Sequence, residues 1–120
     1  MKTGNITRTT WVAILLLLAA CEPESPADVY MQDAVALQRG KSIFVGSCGG
    51  YCHSFSTGAR DAPYLFDCTW LHGGSDGEVF ATISTGVPQT RMIGFAGKLP
   101  EGDADTWRIV AFLKSQRPDC

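Results

Sequence analysis

No basic run or stripe occurs anywhere in the 120 residues, and the formal charge is −2. Nucleic-acid binding leaves an electrostatic footprint of that kind, so this class is excluded. No internal repeat and no low-complexity segment is visible. Nor does any apolar run reach the ~20 residues that a membrane-spanning helix needs. What is present is 45% hydrophobic, ordinary for a globular protein, and the length suits one domain.

The longest apolar run, Trp11 to Ala20, follows a sparse positive segment holding Lys2 and Arg8. Its length is that of a secretory signal peptide. Leu18-Ala19-Ala20-Cys21 resembles the bacterial lipobox, in which the cysteine is lipidated and becomes the mature N-terminus. The expected organisation is a lipoprotein signal peptide over 1–20, a lipidated N-terminus and flexible tether over 21–28, and a domain over 29–120. Without Lys2 and Arg8, eight basic residues face twelve acidic ones, a net charge of −4. Several acyl chains on Cys21 would make a durable anchor where one would not. Glu22 after the cysteine, by resemblance to enterobacterial lipoproteins, favours the outer membrane. The stretch Glu22 to Ala27 is acidic, carries two prolines and lacks a large apolar residue, as a tether does.

The chemistry is concentrated in Cys48-Gly49-Gly50-Tyr51-Cys52-His53. A c-type haem needs two thiols that add across the porphyrin vinyl groups and an adjacent histidine that ligates iron. The common spacing is C-x-x-C-H, and this chain carries one residue more. Gly49 and Gly50 can adopt backbone angles closed to other residues, which offers a way to absorb it.

Around that cluster the pattern is helical. Ala36, Leu37, Gly40, Ile43 and Phe44 recur at three-and-four spacing, which predicts a helix between Asp28 and Gly46. Gly40 in mid-helix costs up to ~1 kcal/mol relative to alanine, and close approach of a second helix would explain it. Ser54 to Ala62 reads as a polar loop. Ser75-Asp76-Gly77-Glu78 is a capping box opening a helix with Val79, Phe80 and Ile83, closed by Gly86 and Val87-Pro88. Met92 lies in the irregular stretch that follows. Asp103 and Asp105 suit the first turn of a final helix and Lys114 and Arg117 its end. Its apolar face is Trp107, Ile109, Val110, Phe112 and Leu113. Crossing at Gly40 and Phe44 is expected, with Trp107 as the aromatic there.

From about Leu37 to Ser115 the chain resembles a class I cytochrome c domain. The parts that carry the resemblance are the Gly-aromatic helix, the Cys-Cys-His site, Pro63-Tyr64-Leu65, the capped middle helix, the methionine loop and the aromatic last helix. The resemblance implies an all-α fold with crossing N- and C-terminal helices and loops that wrap the haem. It implies one haem c on Cys48 and Cys52, His53 and Met92 as iron ligands, and the Pro63 carbonyl as hydrogen-bond acceptor for His53. Such domains carry single electrons and are not enzymes. Periplasmic partners are implied, either a quinoprotein dehydrogenase as donor or an oxidase as acceptor. Cys68 and Cys120 remain, and in an oxidising compartment they could pair as a disulfide.

Two other readings stand beside this one. Cys48, Cys52, Cys68 and His72 have the look of a structural zinc site in a small interaction module. A haem sensor or weak peroxidase would leave the distal side of the iron open, but no distal acid–base pair is evident for peroxide chemistry.

Overall fold

The last helix is the one on which the others pack. In the computed structural model, which describes residues 25–57 and 62–119, four α-helices follow one another. They are α1 (Pro26–Met31), α2 (Ala34–Phe44), α3 (Asp76–Thr85) and α4 (Asp103–Gln116). Among the described residues there is no strand, only an isolated antiparallel bridge between Gly86 and Ile93. Helices α1, α2 and α3 all contact α4, and Ile109 through Leu113 of α4 are buried without a break. A helix covered on so much of its circumference is a core helix rather than a surface one. The architecture is the all-α arrangement of a small cytochrome c fold.

Helices α2 and α4 cross where α2 has no side chain. A Cβ on Gly40 would lie 2.1 Å from the Arg108 carbonyl oxygen, so the two backbones touch. Phe44, one turn further on, meets Phe112 with ring centroids 5.5 Å apart. Trp107 is not the aromatic of this crossing: it stacks on Phe80 of α3 at 4.3 Å. Gly40 faces Arg108 and Ile109, which leaves Trp107, the residue before them, turned toward Phe80 of α3.

Asp105 was expected as a helix-dipole charge, and it does more. Its carboxylate is fully buried and accepts from Arg39 Nε at 2.6 Å, Arg39 Nη2 at 2.9 Å and Arg108 Nη1 at 2.7 Å. The Arg39 hydrogen bond, against the opposing effect of burial, holds its carboxyl well below the usual carboxylate range. This bidentate pair locks α2 to α4 beside the crossing.

The helix expected between residues 28 and 46 is two helices. Asp33 interrupts it by accepting from the Val35 and Ala36 amides at 2.8 and 3.2 Å, and so caps α2. The folded part also begins before residue 29. Ser25 forms a capping box with Asp28, Pro26 opens α1 and Ala27 is fully buried, so residues 25–28 are structured and not tether. Lys114 of α4 reaches Asp28 at 2.6 Å and Asp76 at 2.8 Å, and Ser25 also donates to Asp76. One ammonium thereby joins α1, the start of α3 and the end of α4. The expected signal peptide, Cys21 and Cys120 lie outside the described residues. No helix among the described residues is long and apolar enough to cross a membrane.

Candidate cofactor site

Helix α2 does not stop at Phe44; it widens. Val45–Gly49 form a π-helical turn, in which the Gly50 N–H donates to the Val45 carbonyl at 3.0 Å. The His53 N–H then donates to the Cys48 carbonyl at 2.9 Å, again five residues back. With the ordinary spacing, closure from first cysteine to histidine would span four residues, an α-turn. The wider turn takes up the additional residue.

The two glycines contribute space rather than unusual angles. Gly50 is right-handed helical at φ −68°, ψ −29°, and neither Gly49 nor Gly50 has a positive φ. A Cβ on Gly49 would come 2.8 Å from the Phe55 ring and 3.2 Å from the Phe44 ring. Phe55 belongs to a cluster that the polar reading of 54–62 missed. It stacks on Phe66 at 5.3 Å and meets Phe44 edge-on at 5.5 Å, backing the turn that carries Cys48.

His53 is buried, and its Nδ1 lies 2.8 Å from the Pro63 carbonyl oxygen. A carbonyl can only accept, so Nδ1 carries the proton and the Nε2 lone pair is left for another partner. An acceptor of this kind fixes the ring and makes the imidazole a stronger donor to a metal.

Cys48, Cys52, His53 and Pro63 line one cavity of about 620 Å³, and Met92 and His72 line it too. Its walls include Leu65, Trp70, Val79, Ile83, Phe95 and Leu113. An apolar cavity of that size with a few polar groups suits a small cofactor. Cys48 and Cys52 are free. Burial, with a further push from Cys52, raises the Cys48 thiol to about 11, so it is neutral at neutral pH.

Met92 is half-buried and comes from the loop joining α3 to α4. Gln89 and Thr90 of the same loop also line the cavity. The sequence reading passed over both, although a Pro-Gln-Thr turn with a hydroxyl two residues before Met92 is a local signal of the Ser/Thr-turn kind.

The four proposed zinc ligands do not form a site. Cys68 is disulfide-bonded, so it offers no thiolate. Among the described residues no three His, Cys, Asp or Glu side chains are grouped so as to hold a metal ion. His72 is exposed and shares the cavity wall. Cys120, the partner expected for Cys68, is outside the described residues.

Two free thiols, an imidazole of fixed tautomer and a thioether around one apolar cavity form a donor set that fits a c-type haem. The helical fold is consistent with a small all-α cytochrome c, and a sequence relative points the same way. The chain is 34% identical over 62 residues to the cbb3-type cytochrome c oxidase subunit CcoP of Rubrivivax gelatinosus. That match takes in 51% of this chain and 20% of the relative, so the chain spans about a fifth of the length of the curated protein it matches. No protein-family model matches the chain, and no solved structure does.

Proposed function

We propose that the protein is an extracytoplasmic mono-haem c-type cytochrome that carries single electrons between redox partners. The observation that carries this reading is the 2.8 Å hydrogen bond from His53 Nδ1 to the Pro63 carbonyl, on the wall of a cavity shared with both free thiols and Met92. Each thiol would add its S–H across a vinyl double bond, leaving a thioether. Bound haem supplies one-electron chemistry between ferric and ferrous iron. His53 would offer Nε2 to the iron, with Nδ1 tied back to Pro63, and Met92 would offer sulfur from the methionine loop. The apolar walls would keep water from the ligands and favour the less charged ferrous form.

The finer parts of the reading are Cys21 as a lipid anchor at a periplasmic membrane face and a Cys68–Cys120 bridge. The donor or acceptor would be a periplasmic dehydrogenase or an oxidase. The similarity to an oxidase subunit weights the second of these.

The test is expression with a cytochrome c maturation apparatus, followed by denaturing electrophoresis and haem-peroxidase staining. Haem should stay on the wild-type chain and leave the Cys48→Ala/Cys52→Ala double variant. A colourless wild-type protein from a host that matures other c-type cytochromes would overturn the proposal.

A further inference from the structure

We propose that Thr90 is a positioning residue for Met92: its hydroxyl fixes the backbone from which the thioether reaches the cavity. This inference rests on Met92 being an iron ligand, as read above. The loop that carries Met92 is pinned at both ends. Gly86, at φ 75°, ψ −173°, occupies a region essentially reserved for glycine. A Cβ there would lie 2.5 Å from the Met92 carbonyl oxygen. At the other end, a Cβ on Gly94 would lie 2.6 Å from the Ser84 carbonyl oxygen. The Phe95 and Ala96 amides donate back to Ile83 and Ser84 at 2.9 and 3.1 Å.

Between these pins Met92 is held twice. The Val87 N–H donates to the Met92 carbonyl at 2.9 Å. The Thr90 hydroxyl accepts from the Met92 N–H at 3.1 Å and donates to the Val87 carbonyl at 2.8 Å. One side chain thus closes the ring Val87–Thr90–Met92, and both peptide groups of Met92 are engaged within the loop. Thr90 is exposed and also lines the cavity, so a serine, which keeps the hydroxyl and loses only the methyl, separates the hydrogen bonds from contact with the cavity.

The consequence follows from the ligand type. A methionine side chain has three rotatable bonds, so the effective concentration of its sulfur at the iron depends on where its backbone is anchored. Losing a neutral hydrogen bond in such a loop should raise the population with sulfur away from iron by about two- to tenfold.

The experiment compares wild type, Thr90→Val, Thr90→Ala and Thr90→Ser, each carrying covalent haem and checked for wild-type helical circular dichroism. Two signals are read: the weak near-red band of methionine sulfur on ferric haem, and the rate of carbon monoxide binding to the ferrous form. Thr90→Val and Thr90→Ala should weaken the band and speed carbon monoxide binding by about two- to tenfold. Thr90→Ser, which keeps the hydroxyl, should restore both. Wild-type behaviour in Thr90→Val or Thr90→Ala, or equal loss in Thr90→Ser, would overturn the role of Thr90 while leaving Met92 as ligand. A wild type that lacks the band and binds carbon monoxide at once would overturn the ligation, and this proposal with it.

Discussion

Gly40→Ala tests the crossing on which the fold depends. The added Cβ would start 2.1 Å from the Arg108 carbonyl oxygen and 2.6 Å from its carbonyl carbon, whereas ordinary contact begins at 3.4 Å. Both obstacles are backbone within a helix, so neither can swing aside, and the helices must part by about 1.3 Å locally. Overpacking of this kind costs about 1–3 kcal/mol. A gap of 0.5–1 Å already forfeits roughly a quarter to a half of each dispersion contact along the seam, which places this site at the upper end. Alanine returns up to ~1 kcal/mol of helix propensity. The net expectation is destabilisation by about 2 kcal/mol, read as a lower midpoint in denaturant titrations followed by helical circular dichroism. For a domain of this size that is a fall in Tm of roughly 8–16 °C. Gly77→Ala is the control, because a Cβ there meets nothing within 4 Å. If Gly40→Ala matched that control, the helices would not cross at this residue.

Other substitutions probe other parts. Asp105→Asn removes a buried carboxylate shared by Arg39 and Arg108 and should cost about 3 kcal/mol at neutral pH. Because the folded-state pKa is depressed, that stability is fully present above the unfolded value near 3.9 and is lost as pH falls through the folded value. The gap between wild type and variant in denaturant midpoints should therefore narrow below about pH 4, and a gap independent of pH would refute the assignment. Ser75→Ala removes the N-cap of α3 and should cost about 0.5–2 kcal/mol by the same titration. Gln89, the one non-glycine residue with positive φ among those described, at 62°, should tolerate glycine. Gln89→Gly is expected to be neutral or to stabilise by up to about 1 kcal/mol, and a clear loss would mean that the glutamine side chain matters more than its backbone strain.

Features set by local rules were legible in the sequence. Ser75 and Glu78 form the capping box that their spacing announced, Gly86 ends α3, and Gly40 sits at a helix contact. The resemblance, and no local rule, pointed to the Pro63 carbonyl, which lies against His53, and to Met92, which lines the same cavity as Cys48 and Cys52. What escaped depends on partners far along the chain or on backbone choices that leave no residue pattern. Asp105 looked like a dipole charge because Arg39 is 66 positions away. Asp33 lay ahead of the apolar periodicity, which begins at Ala36, and the expected helix ran back across it to Asp28, so the break before α2 was missed. Phe55 stood among serines and glycine, and only the fold brings it against Phe44 and Phe66. A π-turn and two glycines in unusual angles are equally valid ways to house one more residue, and the letters do not choose between them.

The π-turn at Val45–Gly49 also works as a buffer for chain length. An insertion in a regular helix rotates everything downstream by about 100° relative to what precedes it, which would swing a thiol out of the cavity. Here the misalignment is contained within the turn that creates it: α2 keeps its seat on α4, and His53 still meets Pro63. Spacing between the two cysteines is therefore a matter for this turn and for the Phe44 and Phe55 rings packed against its Gly49, with the rest of the helical frame left in place. Removing Gly50 should tighten the turn to an α-turn and yield the common cysteine spacing on an otherwise unchanged scaffold.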